Sequence, residues 1–177
     1  DLRVKPIGSD GYQMVHSLLW MQRLRESLRG KQVYWFIYYG NDLHENLHPA
    51  TGQYRMPYVR QDEEGRWQVS SEHVSVEPWT FPYSASNSDF MAKFSTPGEY
   101  SDRVFSACEF LLSEANSLCQ SVDAELSVFG IPDRSQLMKK GIAQLRSKAP
   151  DPQLFEVTTP DQRIGAICQT LDLPFVS

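Results

Sequence analysis

Apolar residues recur along the chain in two rhythms. From Gln13 to Leu28, the residues Met14, Leu18, Met21, Leu24 and Leu28 stand three or four apart, and Gly30 follows as a stop, so the spacing predicts a helix. Val33-Tyr34-Trp35-Phe36-Ile37-Tyr38-Tyr39 is instead unbroken, the pattern of a strand buried on both faces of a parallel sheet. Leu2 to Ile7 reads as a short strand, with Pro6 placing it at an edge or a strand end. Between Pro49 and Pro97 the rhythm is lost. Only Tyr58 to Gln61 and Arg66 to Val69 alternate there, and with Asp62-Glu63-Glu64-Gly65 as a solvated turn between them they predict a hairpin inside an insertion spanning 50–97. After Gly98 the helical rhythm returns in Val104, Cys108, Leu111, Ala115, Leu118 and Val122. A strand over Ala124 to Ile131 follows, closed by Pro132. Helical stretches over Arg134 to Ser147 and Pro160 to Leu171 then lead to a last short strand at Leu173-Pro174-Phe175-Val176.

Strand, helix, strand, insertion, helix, strand, helix, strand is the order of an open α/β sheet joined by right-handed crossovers. Binding and catalysis in such sheets occur beyond the carboxyl ends of the strands, which directs attention to the residues after Ile7, Tyr39, Ile131 and Val176. The 177 residues suffice for one core and not for two. A net charge of −5 leaves no electrostatic footprint for a polyphosphate backbone, so nucleic acid is not an expected partner. No apolar run approaches the roughly 18 to 20 residues of a membrane span. No targeting segment is legible, and the compartment stays open. Cys108 and Cys119 share one predicted helix, where eleven residues at a rise of about 1.5 Å put them roughly 16 Å apart, beyond disulfide reach. With Cys168 they are expected to be buried thiols.

Gly40-Asn41-Asp42-Leu43 lies at the carboxyl end of the most convincing strand, and Gly8-Ser9-Asp10-Gly11-Tyr12 lies after the first strand and just before a helix. An Asn side chain offers an uncharged N–H₂ that donates at any pH, and a glycine lets the backbone approach a ligand without a Cβ in the way. Without further context Gly-Asn-Asp is also an ordinary turn sequence, since these residues favour left-handed conformations and Asx turns. The run Gly40-Asn41-Asp42-Leu43-His44-Glu45-Asn46 resembles the third block of the SGNH (GDSL-type) hydrolase family, which reads G-N-D-L-x-[DE]-N after a hydrophobic strand. Gly8-Ser9-Asp10-Gly11-Tyr12, whose Gly11 stands thirty residues before Asn41, resembles that family's second block. Ser101 to Leu137 also fits, with a long helix, a strand and an Ile-Pro ending.

The resemblance implies a three-layer α/β/α fold with a flavodoxin-like parallel sheet, interrupted here by an aromatic-rich insertion. It implies ester hydrolysis through a serine acyl-enzyme, of the lipase, esterase or acetylhydrolase kind, or acyl transfer when an alcohol replaces water. Gly11, through its backbone N–H, and Asn41, through its side-chain amide, would form the oxyanion hole, with Gly40 and Asp42 structural at the site and Asp42 holding the loop as an acceptor. The implied substrates are small-molecule, lipid or acylated-carbohydrate esters, and no cofactor or metal is called for. The family's nucleophile block G-D-S and its terminal D-x-x-H block have no counterpart here. Gly8-Ser9-Asp10 carries the right letters in the wrong order, and Ser9 as nucleophile would remove the second block. The expectation is therefore a single, truncated hydrolase-like domain over 1–177 that supplies the oxyanion donors and is inactive by itself. The alternative is a non-catalytic binding domain of the same fold.

Two further patterns compete. His44-Glu45-Asn46-Leu47-His48 spells the H-E-x-x-H of zinc metalloproteases, in which two histidines one helical turn apart hold the metal. Gly40 just before it and Pro49 just after leave little more than one turn of helix, and Tyr54 stands where an extended motif would carry a third histidine. His16 and His73 are expected to be hydrogen-bonded or solvent-facing rather than ligands. The insertion's aromatics, Tyr54, Tyr58, Trp67, Trp79, Phe81, Tyr83, Phe90 and Phe94, are expected to form a satellite core, with a lid over the site as the alternative.

Overall fold

In chain order the elements are α1 (Met14–Arg23), a 3₁₀ turn (Arg25–Leu28), β1 (Gln32–Tyr38), α2 (Asp42–Glu45), β2 (Ala50–Thr51), β3 (Tyr54–Arg55), β4 (Tyr58–Gln61) and β5 (Trp67–Ser70). Then come α3 (Glu99–Gln120), β6 (Glu125–Ile131), α4 (Arg134–Leu137), α5 (Lys139–Lys148), α6 (Thr159–Thr170) and β7 (Phe175–Val176). The computed structural model describes residues 4–8, 11–51, 54–70, 93–94, 98–149 and 151–177. Residues 4–8 form no strand, and the rest of the strand expected over Leu2 to Ile7 lies outside the described residues.

β1, β6 and β7 form a parallel sheet with β6 in the middle. β1 and β6 pair along their whole length, from Gln32 opposite Glu125 to Tyr38 opposite Ile131. The chain is thus a mixed α/β protein built on a three-stranded parallel sheet. The expectation of a strand buried on both faces does not hold, because burial alternates strictly along β1. Val33, Trp35 and Ile37 face the core, whereas Tyr34, Phe36 and Tyr38 are 51%, 57% and 38% exposed. The reason is tertiary. The buried sides of α1, α3 and α6 share one core with Val33, Trp35, Ile37, Leu126 and Val128, so among the described residues the helices cover one face only. On the other face the rings of Phe36 and Phe129 stack at 5.1 Å, with Tyr34 edge-on to Phe129 at 5.8 Å.

The first helix is shorter than its apolar spacing predicts. Met14, Val15, Leu18 and Met21 bury one stripe, but Leu24 leaves helical geometry and the last turn tightens to 3₁₀ before Gly30 reverses the chain at φ +63°. α3 runs from Glu99 to Gln120 and buries Val104, Cys108, Leu111 and Ala115 of the expected stripe, with Leu118 only partly buried, and adds Phe105, Ala107, Leu112 and Cys119, because both α1 and α6 pack against it. The helix predicted over Arg134 to Ser147 is broken at Met138, and α5 folds back so closely that a Cβ on Gly141 would stand 2.4 Å from the Ser135 carbonyl oxygen.

The predicted hairpin is present as β4 and β5, with Tyr58 opposite Ser70 and Gln61 opposite Trp67. Asp62 Oδ1 accepts from the amides of Glu64 and Arg66 at 3.0 and 2.9 Å and so shapes its turn. Trp67 Nε1 donates to Ser106 Oγ on α3 at 2.9 Å, and Val59 N donates to Asn46 O at 2.8 Å, which pin the hairpin to the main domain. Phe94 joins Leu145, Ala149 and Phe155 in a second, smaller core. Trp79, Phe81, Tyr83, Phe90 and His73 lie outside the described residues. All three cysteines are buried free thiols.

Candidate active site

β1 delivers the chain to a tight turn at its carboxyl end. Tyr39 N still donates to Ile131 O at 2.9 Å, continuing the ladder, and then Gly40 and Asn41 turn the backbone into α2. A Cβ on Gly40 would stand 2.0 Å from the Tyr38 ring, which explains the glycine. Asp42 folds back over the strand end, and its Oδ2 accepts from Tyr38 N at 2.9 Å. Asn46 is fully buried and ties three segments together. Its Nδ2 donates to Asp42 O at 2.6 Å, and its Oδ1 accepts at 3.4 Å from Val15 N, an amide of the first turn of α1. Since the Gln13 side chain makes no capping bond, Asn46 supplies the cap from across the fold.

Asn41 heads α2, partly buried, and its Nδ2 donates to Glu45 Oε2 at 2.7 Å. An amide nitrogen carries two hydrogens, so the second N–H of Asn41 has no partner among the described residues. Gly11 is exposed at φ +78° with open space where a Cβ would be, three residues before α1. The structure therefore gathers Gly40, Asn41, Asp42 and Asn46 in one turn, and docks against it the first turn of the helix that Gly11 precedes. Ser9 and Asp10 lie outside the described residues.

A residue that sequence reasoning missed sits beneath this turn. Lys93 is 1% exposed, and its ammonium donates to Gly40 O at 2.6 Å and to Tyr39 O. Its only signal in the sequence is a lone cation inside the apolar run Phe90-Met91-Ala92-Lys93-Phe94. Burial pushes its pKa down to about 7, against the pull of Asp133, Asp42 and Glu45. Burial likewise pushes Asp42 up to about 7, opposed by the bond from Tyr38 N. Glu45 is also raised by burial, with the Asn41 bond working the other way. At the end of β6, Asp133 accepts from the Tyr38 hydroxyl and from Ser135 N at 2.8 Å, and caps α4. That bond to a carboxylate pushes the Tyr38 hydroxyl up to about 12.

The H-E-x-x-H letters do not form a metalloprotease helix. α2 stops at Glu45, the would-be base is bonded to Asn41, and the rings of His44 and His48 stand 6.1 Å apart at 69°. His48 Nε2 shares a hydrogen bond with the Tyr100 hydroxyl at 3.1 Å. Burial drives His44 down to about 3, keeping the ring neutral. Among the described residues no group of three or more His, Cys, Asp or Glu is gathered for a metal ion. His16 stacks on Tyr12 at 4.9 Å, and its Nδ1 accepts from Gln13 N at the start of α1. No helix among the described residues is long and apolar enough to cross a membrane.

Fold and site together define an α/β protein with a parallel sheet and a Gly-Asn-Asp turn, rigidly tied, at the carboxyl end of a strand. Compared with known proteins, the chain matches no family model, no curated protein and no solved structure.

Proposed function

We propose that this chain is the oxyanion-stabilising part of a serine ester hydrolase of the SGNH type, whose three-layer α/β/α form requires segments beyond the described residues to cover the open face of the sheet. The observation that carries the reading is the Asn41 amide. It stands at the carboxyl end of β1, one N–H held by Glu45 and the other without a partner among the described residues. Cleavage of an ester places negative charge on the carbonyl oxygen, and a donor already fixed in place stabilises that charge without reorganising when it forms. Gly11 supplies the second donor through its backbone N–H. Gly40 and Asp42 hold the turn. The substrates are lipid, short acyl or acetylated-carbohydrate esters, and an acyltransferase would use the same donors. The reading requires a serine nucleophile and an Asp/His pair from outside these 177 residues.

The test is turnover of p-nitrophenyl acetate and butyrate by the protein expressed together with its adjoining coding sequence. Asn41→Ala lowers kcat by on the order of 10²–10³ with little change in stability. Equal turnover by the two proteins rejects the role given to Asn41. The exposed aromatic row of Tyr34 and Phe36 favours a second reading, a non-catalytic binding domain of the same fold. That reading stands if the wild-type protein turns over no ester.

A further inference from the structure

A fully buried lysine needs a physical reason, because taking an ammonium out of water is costly unless its hydrogens find acceptors. Lys93 has two such acceptors in consecutive carbonyls, those of Tyr39 and Gly40. These belong to the two peptide units that lead into Asn41. A trans peptide is planar with its N–H opposed to its C=O, so holding the Gly40 oxygen also fixes the direction of the Asn41 N–H and the place where its side chain leaves the backbone. Gly40 would otherwise be the most permissive point in the turn. Among the described residues, the titratable groups near the ammonium include Asp42, His44 and Glu45, all on α2, and Asp133 just beyond the end of β6. Glu45 is the same carboxylate that holds the Asn41 amide. Lys93 thus reaches Asn41 from two sides, through its backbone and through the electrostatics of its side-chain partner.

We infer that Lys93, contributed by the insertion, is a positioning residue that fixes the Gly40–Asn41 peptide and thereby aims the Asn41 amide. The inference rests on the oxyanion role proposed for Asn41 and adds the device that orients it. The lysine touches neither substrate nor reacting atoms.

The test has one spectroscopic arm and one kinetic arm. In the isotopically labelled 177-residue chain near pH 6, the Lys93 Nζ hydrogens exchange slowly and show hydrogen-bond couplings to the Tyr39 and Gly40 carbonyl carbons. Absence of those couplings overturns the proposal without any variant, and so holds even if Lys93→Met fails to fold. In Lys93→Met, which keeps the length and removes the donors, the Asn41 backbone and side-chain amide signals move while those of the β4–β5 hairpin stay. Unmoved Asn41 signals overturn it as well. In the longer ester-hydrolysing protein, Lys93→Met lowers kcat on the order of 10-fold to 10²-fold with KM little changed. In the Asn41→Ala background the same substitution costs less than about 2-fold, and additive losses would show that Lys93 does not act through Asn41. If wild type hydrolyses no ester, the oxyanion reading fails while the couplings still decide whether Lys93 orients Asn41.

Discussion

Asp42 and His44 are two residues apart in α2 and carry opposite linkages between protonation and folding. Asp42 is pushed up from 3.8 to about 7, so the folded state keeps a proton that the unfolded chain releases. This group favours the fold below its ordinary value, and that contribution disappears as pH rises through about 7. His44 is pushed down from 6.5 to about 3, so its contribution is present above 6.5 and is lost as pH falls towards 3. Between about pH 4 and 6.5 the two slopes oppose each other. Asp42→Asn keeps an oxygen for Tyr38 N and removes one slope. At pH 8 the variant is more stable than wild type by on the order of 1–3 kcal/mol in urea unfolding, and at pH 5 the difference has largely closed. Its stability also falls more steeply below pH 6, where His44 acts unopposed. A difference independent of pH would mean that Asp42 is ionised in the fold at ordinary cost.

The joint between α1 and α2 depends on Asn46 more than on local sequence. α1 begins without a side-chain cap from Gln13, and Val15 N finds its acceptor thirty-one residues away. Asn46→Ala removes that acceptor together with the donor to Asp42 O at a fully buried position. The expected loss is about 2–4 kcal/mol, the cost of two buried groups left unpaired, with faster hydrogen exchange at Val15 and Leu43 than in the β4–β5 hairpin. Uniform acceleration across the chain would show a general loss of stability and no special role at the joint. Close approach is also sequence-specific between β6 and the strand-end turn. A Cβ on Gly130 would fall 2.0 Å from the Tyr39 hydroxyl oxygen, so the glycine is what lets that ring lie across the sheet.

At the scale of the whole molecule, one core of helices on one sheet face holds all three thiols. Burial pushes Cys108 up to about 12 and Cys119 and Cys168 up to about 11, which leaves almost no thiolate at neutral pH. In a DTNB assay at pH 8 the folded chain reacts at least about 100-fold more slowly than in guanidinium, and all three thiols titrate once it unfolds. One fast thiol in the folded state would place that cysteine outside the core. The opposite sheet face exposes Tyr34, Phe36 and Val176. Parallel sheets are nearly always covered on both sides, which is why the apolar run of β1 suggested two-sided burial.

Much of the architecture was legible in the chain because periodicity is local. The two long helices, both seven-residue strands, the hairpin and the buried thiols follow from apolar spacing and turn residues read a few positions at a time. The Gly40-Asn41-Asp42 turn was legible too, since its glycine, amide and carboxylate stand side by side in sequence. Where α1 tightens to 3₁₀, where Arg134 to Ser147 breaks, and which face of β1 is open were decided by packing between segments far apart. So was the setting of the turn. Lys93 lies more than fifty residues beyond the carbonyls it binds, and Asn46 caps a helix amide thirty-one residues before it. Local rhythm selects helix or strand, because the backbone repeats every few residues. The charge and hydrogen-bond partners of a buried group come from whatever the tertiary fold brings beside it, and only the folded chain specifies those.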